Sequence, residues 1–308
     1  MGVHRNLVVS NWEIAKECLT TNDKAFATSP KILTTEHLAN DLSMFGFSPY
    51  GTYWREMRKI ATLELLSNHR LELLRHVQQI AYMTVNQEEE RWKGAMRDFF
   101  DLSGMFIAAD AVPFLRWFHI GGHEKAMNKT AKELDNVFEE WLNEHKEKKA
   151  SGFKYEEEDF MDLMLNIIDD DVQVALGRDS DTINKAACMA LTLAASDSTA
   201  VTLTWALSLL INNPDVLKKA QQELDIYVGK ERLGDESDIN TLVYLNAIIK
   251  EIAAFIPSWT PCCATRVHGG LHRRRLPYPS GTRLITIWKI QRDPPVWSNL
   301  SDFNRKDF

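Results

Sequence analysis

The stretch SDTINKAACMALTLAASDSTAVTLTWALSLLINN, residues 180–213, reads as one uninterrupted helix. Ser180 or Asp181 caps it, and Asn212-Asn213-Pro214 stops it. At about 1.5 Å per residue it is roughly 50 Å long, enough to cross a whole domain. It is apolar almost all round, which predicts a central buried helix with a mainly α fold built about it. One acid, Asp197, interrupts the apolar run. Burying a carboxylate is costly unless it is partnered, so Asp197 is a candidate functional residue. The bland alternative is a packing Asp bonded to a neighbouring hydroxyl.

The flanks extend the helical reading. Asn213-Pro214 starts a helix to Tyr227, and a shorter one covers about Thr241 to Glu251. Upstream, residues 123–149 form an amphipathic helix with Leu134, Val137, Phe138, Trp141 and Leu142 as its stripe. Glu156-Glu157-Glu158-Asp159 reads as a solvated helix start. Residues 96–118 are apolar enough to suggest a membrane span. Asp98, Asp101, Asp110, Pro113 and Arg116 interrupt them, which predicts two buried segments instead. Further helices are expected over 53–66 and 69–90, and residues 27–50 are loop-rich. Near the start, Leu7-Val8-Val9 reads as a strand, and Asn11 caps a helix to about Leu19. There is no internal repeat.

Composition excludes some classes. The 308 residues are 44% hydrophobic and 26% charged with a net charge of −7, which argues against nucleic acid as a partner. Cys18, Cys188, Cys262 and Cys263 do not space like a disulfide framework, and buried thiols are expected. Cys262, Cys263, His268 and His272 lie close together. The cysteines are adjacent rather than two apart, and Gly269-Gly270 would break a helix presenting the histidines, so no metal site is assigned. The basic run 272–275 is a weak nucleic-acid signal against the overall acidic balance. The N-terminus carries no apolar leader, so the sequence alone reads as soluble.

Four stretches resemble plant microsomal cytochromes P-450 of specialised metabolism. The first is the run 45–59, FGFSPYGTYWREMRK, with Trp54 and Arg58 spaced i, i+4. The second is Ala194-Ala195-Ser196-Asp197-Ser198-Thr199. The third is Gly121-Gly122-His123-Glu124-Lys125-Ala126-Met127, continued by 131–141, and the fourth is 281–297. The resemblance implies a heme-dependent monooxygenase. It would hydroxylate a hydrophobic alkaloid, flavonoid or terpenoid with O2 and electrons from an NADPH-cytochrome reductase, at the endoplasmic reticulum membrane. Trp54 and Arg58 would bond heme propionates. Ala194 and Ala195 would let the helix pass close to the heme. Asp197, Ser198 and Thr199 would relay protons. Ala195 and Ser198 stand where the family usually has Gly and Thr. Substrate would be met by the loop 42–50 and by the 190–197 helix face.

The resemblance covers most of 3–252 and 281–308, as one incomplete domain. Near residues 85–87 the family carries a longer stretch, helices D and E. Residues 252–280 match nothing in it and read as an irregular segment of the kind a shifted frame produces. Glu251 begins the family's E-x-x-R, but position 254 is Ala. The anchor would precede Met1 and the axial-cysteine loop would follow Phe308. The expectation is therefore a chain without the proximal thiolate, inactive, and cytosolic or unstable. The alternative is a noncatalytic helical fragment that only binds partners.

Overall fold

A computed structural model describes residues 2–67, 88–118, 120–152, 159–168, 172–173, 176–255, 265–266, 271–273, 276–279 and 281–286. The chain opens with strand β1 (Asn6–Val9), then helices α1 (Trp12–Lys16), α2 (Asp23–Phe26), α3 (Leu33–His37) and α4 (Thr52–Ile60). Next come α5 (Glu88–Ser103), α6 (Ala108–Ala111), α7 (His123–Ala150) and α8 (Phe160–Ile167). The long helix is α9 (Ser180–Ile211), followed by α10 (Pro214–Tyr227) and α11 (Val243–Phe255). Short strands β2 (Thr265–Arg266), β3 (Leu271–Arg273), β4 (Leu276–Tyr278) and β5 (Arg283–Thr286) close the described chain. The mainly α expectation holds. β1, β5 and β2 form a small sheet in which β2 runs antiparallel to β5, and β3 pairs with β4.

Two compact units result. The first comprises Met1–Leu7, Asn22–Leu193 and Ala264–Leu284; the second comprises Val8–Thr21, Ala194–Cys263 and Ile285–Phe308. In the first unit α7 supplies the stripe that its sequence predicts. Met127, Leu134, Phe138 and Leu142 are buried at helical spacing. Phe138 meets Trp92 of α5 edge-on at 5.6 Å and Trp141 at 5.0 Å between ring centroids. Against this core lies the first half of α9, with Ile183, Ala186, Ala187, Met189 and Leu193 buried. One charge is buried there too. Lys185 is only 10% exposed, and its Nζ lies 2.8 Å from Asp135 and 2.7 Å from Glu139, one turn apart on α7. A second tie joins the same helices, Lys146 Nζ bonding both oxygens of Asp181 at 2.6 Å.

Helix ends follow capping chemistry. Asn11 accepts from the amides of Glu13 and Ile14, and a π-helical turn (Glu17–Thr21) extends α1. Residues 61–65 extend α4 in the same manner. The α9 cap needs correcting. It is Asp179, whose Oδ1 accepts from the Thr182 amide at 2.9 Å, because a carboxylate just before the helix reaches the third orphan N–H. The expectation of burial along all of α9 also fails. Beyond Ala194 the helix exposes Leu203, Trp205, Leu207 and Ile211. The polar ties from α7 and α8 meet its first turns, at Asp181, Asn184 and Lys185, and the apolar cluster of the first unit extends along it to Leu193. In the second unit Val216 and Ala220 of α10 with Ile248 and Ile252 of α11 bury one face of α9, at Ala206, Leu209 and Leu210. The carboxylate of Glu223 holds the start of α11 by accepting from the Tyr244 and Leu245 amides, both at 2.8 Å.

Other expectations divide. Residues 96–103 complete α5, but the second apolar segment is not buried: Phe106, Phe114, Trp117 and Phe118 are exposed. Pro113 opens a 3-10 turn in which Phe114 and Trp117, three apart, fall on one line. The loop-rich reading of 27–50 missed α3. In the segment 252–280 the described residues are the end of α11, three short strands and a residue beside β4; the others, like the helix expected over 69–87, lie outside the described residues. Cys18 and Cys188 are buried thiols not joined in a disulfide, as expected, while Cys262 and Cys263 are not described. One described helix, α9, is long and apolar enough to cross a membrane by length and composition.

Lys185 generates a stability test. Removing one partner from a fully buried pair costs about 3–5 kcal/mol, but Asp135 and Glu139 keep partial access to water. Lys185→Ala should therefore cost about 2 kcal/mol in urea unfolding. Lys185→Met should cost less, because it retains the buried methylene stem.

Candidate functional site

The Trp54/Arg58 pair sits on α4, whose start follows the extended Gly51. The i, i+4 spacing puts both side chains on one face, and the Arg58 guanidinium carbon lies 5.1 Å from the Trp54 ring centroid. Tyr50 braces the indole at 5.3 Å between centroids. Arg58 is exposed and Trp54 half-buried, so the guanidinium stands at the surface of the first unit. An exposed, planar, five-donor cation backed by an aromatic ring suits a carboxylate ligand.

The other candidates lie together in the second unit, on two turns of α9. Ala194, Ala195, Asp197 and Thr199 are exposed and Ser198 is half-exposed. This corrects the premise of a buried acid: Asp197 meets solvent and needs no partner to offset burial. Nor are the acid and its neighbouring alcohol bonded to each other. Ser198 Oγ donates to the Ala194 carbonyl at 2.7 Å, and Thr202 and Thr204 repeat the pattern toward Ser198 and Ala200. The hydroxyl must rotate to serve a proton relay. Glu251 is half-buried on α11.

Sequence reasoning missed two polar centres in the first unit. The first joins α7 to α8. His145 Nδ1 bonds the Trp141 carbonyl at 2.7 Å, and Nε2 bonds Asp159 Oδ2 at 2.8 Å with Asp162 Oδ2 at 4.0 Å. Asp159 is also the N-cap of α8, Oδ1 accepting from the amides of Met161 and Asp162. The Asp159 end of the charge run thus is a helix start, as read. His145, Asp159 and Asp162 have the composition of a metal site. The hydrogen bond to Asp159 pushes the His145 pKa up to about 9 against the opposing effect of burial. With the imidazole charged, both ring nitrogens donate, and the centre acts as an ion-pair clip between α7 and α8. Behind it, burial and then the charge of Asp159 push the Cys188 thiol up to about 12, which leaves it inert.

The second centre is a loop lock. Arg178 donates to Ser43 Oγ at 2.7 Å and to the Asp41 carbonyl at 2.9 Å, and lies 5.3 Å over the Tyr53 ring. No spacing rule connects residue 178 to residue 43, so the sequence held no signal for it. The first unit also contains two cavities. One, of about 440 Å³, is lined by Lys59, Ile60, Leu63, Ile167 and Leu176 among others. The other, of about 250 Å³, has Leu33, Ile107 and Leu115 with Arg116 and His123. None of the seven candidate residues lines either one.

Comparison with known proteins gives these features a family. The family model for cytochrome P-450 matches residues 83–308. Strychnine-10-hydroxylase of Strychnos nux-vomica is 42% identical over 368 positions, covering 100% of this chain and 68% of that protein. This chain belongs to the cytochrome P-450 family. Flavonoid-6-hydroxylase of Ocimum basilicum is 41% identical over 370 positions, covering 100% of this chain and 68% of that protein. Xanthotoxin 5-hydroxylase of Arabidopsis thaliana is 38% identical, covering 100% and 69%. A zebrafish cytochrome P-450 solved with progesterone matches the fold with a TM-score of 0.71 at 21% identity, covering 99% of this chain and 77% of that one. As a family member the chain is a heme-dependent monooxygenase, an oxidoreductase, with heme as its cofactor. The strychnine-10-hydroxylase alignment runs over 368 positions against 308 residues, so about sixty of its positions have no counterpart within the chain.

The His145 clip predicts a pH dependence. The folded pKa of His145 lies above its ordinary 6.5, so its contribution is complete below about pH 6.5 and is lost as pH rises through about 9. The melting temperature should fall over that interval, and His145→Gln should flatten the fall. An equal slope in the variant would assign the pH dependence elsewhere.

Proposed function

We propose that this cytochrome P-450 hydroxylates a hydrophobic plant metabolite of the alkaloid, flavonoid or coumarin type. The carrying observation is similarity along the whole of this chain, covering 68–69% of each relative, to three hydroxylases of such compounds at 38–42% identity. An NADPH-cytochrome reductase is the electron donor of this reading, and the endoplasmic reticulum membrane is its location. Plant relatives of the family are membrane-bound. Because the solved relative covers 99% of the chain, we read both units as parts of one family domain.

Each unit by itself carries residues whose chemistry suits a heme. In the first, Arg58 offers an exposed guanidinium of the geometry that carboxylates take, with the half-buried Trp54 beside it. Ala194, Ala195 and Ala200 keep the exposed surface of α9 free of bulk across the motif. Trp54 and Arg58 would hold the propionates and orient the group. Heme, when bound, supplies the activation of O2. Asp197 can hold a proton at its carboxylate. Ser198 Oγ, turned away from the Ala194 carbonyl, can pass one onward, and Thr199 adds a second exposed hydroxyl. Serine in place of threonine leaves the Ser198 hydroxyl without a methyl to fix its rotamer. Exposed apolar residues along 203–211 suit an apolar substrate better than a polar one.

The test is heme titration of the purified chain, followed by turnover with reductase and NADPH, using flavone and xanthotoxin. Addition of one oxygen atom, read by mass, is expected. Arg58→Ala should weaken heme binding about tenfold, a loss of about 1.4 kcal/mol, the size of one charge-assisted hydrogen bond. Asp197→Asn should leave heme binding intact and slow turnover about a hundredfold, the contribution of a positioned proton donor. Failure to take up heme would sink this reading. A second reading, a chain that keeps the fold without the activity, draws on the sixty unmatched positions and on Ala254, where the family's E-x-x-R places arginine. Heme uptake without oxygen insertion would favour it.

A further inference from the structure

Asn40, Asp41 and Leu42 have φ of 47, 50 and 60°, the non-glycine residues of positive φ among those described. Three consecutive left-handed residues are rare for L-amino acids. Asn and Asp tolerate the conformation, whereas leucine does not. Such a turn persists only where its surroundings over-determine it. Here they do. Ser43 N donates to the Asn40 carbonyl at 3.0 Å and Met44 N to the Ala39 carbonyl at 3.2 Å. Ser48 Oγ shares its proton between the Leu42 and Met44 carbonyls, and Tyr53 OH donates to the Ser43 carbonyl. These five bonds come from the loop itself or from α4 beside it. Arg178, just before α9, is the tie that comes from far along the chain: it grips Asp41 O and Ser43 Oγ and stacks on Tyr53. Ser43, Met44 and Ser48 are almost wholly buried, so the turn is wedged against the first unit's core rather than loose on it.

The geometry points to Arg178 as a positioning residue that sets the shape of the loop 40–50 and, through it, which substrates the protein accepts. The specificity role rests on the proposed function, with substrate met by the loop 42–50 as the family resemblance implies; the lock itself does not. A planar fork with two bonds and a ring stack fixes both distance and orientation, which lysine cannot reproduce. Loss of the fork leaves the strained turn free to relax toward right-handed backbone, moving Leu42, Phe45 and Phe47 together.

Amide hydrogen exchange on the full chain tests the lock without heme or turnover. In Arg178→Ala, exchange at Ser43, Met44 and Phe47 should quicken at least tenfold while the amides of Phe138 and Leu142 in α7 stay unchanged; Arg178→Lys should fall between. Unchanged exchange at residues 43–47, or an equal rise in α7, would overturn the lock. Equilibrium dialysis with flavone and xanthotoxin then tests specificity, and the ratio of their two Kd values should shift at least threefold in Arg178→Ala. Binding of both probes with an unshifted ratio would overturn Arg178's specificity role alone. Failure of wild type to bind either probe would overturn the proposed function and the specificity role with it, leaving the exchange result to decide the lock.

Discussion

The first unit depends on one cation held by two carboxylates. Lys185 lies on the helix that carries the candidate residues 194–199, and Asp135 and Glu139 lie on the helix that organises the aromatic core. Burial alone would lower the lysine's pKa, and the bonds to Asp135 and Glu139 outweigh it, leaving it raised. Helix packing by apolar side chains tolerates sliding and rotation, because dispersion contacts are numerous and weakly directional. A buried ammonium bonded to two oxygens one turn apart does not tolerate either. With Lys146 on Asp181 it fixes the register of α9 against α7, and so sets where along α9 burial ends.

That end of burial is what makes the candidate motif accessible. Leu193 is buried and Ala194 exposed, so the change falls at the first residue of the motif. The His145 clip acts on the same frame from the other side. It joins α7 to the N-cap of α8, and α8 in turn receives Asn184 of α9 through the Met161 carbonyl at 3.2 Å. Three helices thus share one polar seam whose members are paired. A paired seam specifies a single arrangement, whereas an apolar seam of equal area would admit several.

The sequence disclosed what depends on local periodicity and on motif. The stripe of α7, the extent of α9 within two residues at its end, the Pro214 start of α10 and the Asn11 cap all follow from spacing a few residues long. The pairing of Trp54 with Arg58 is of the same kind. What it hid depends on which element packs where. Nothing in the composition of α9 separates its buried half from its exposed half: Leu193 and Leu203 are the same residue in the same periodic context, one 2% and the other 58% exposed. The aromatic run near Phe114 failed for a related reason. Its hydrophobicity was legible, but the proline-started 3-10 turn that aims two rings outward was not.

Exposure changes how the Asp197 motif has to work. A buried carboxylate is functional partly because its environment shifts its pKa, and its cost marks it out. Asp197 is exposed, so burial does not mark it out, and its surroundings are decided by what binds beside it. The same holds for Ser198, whose proton the Ala194 carbonyl holds until something offers a better acceptor. Ser/Thr hydroxyls turned onto the preceding helical turn at 198, 202 and 204 leave this part of α9 bent-prone and its hydroxyls interchangeable between backbone and ligand. The proposed relay is therefore conditional on a ligand: its groups are present and reachable, and their alignment would have to be supplied by a bound cofactor and substrate rather than by the protein core.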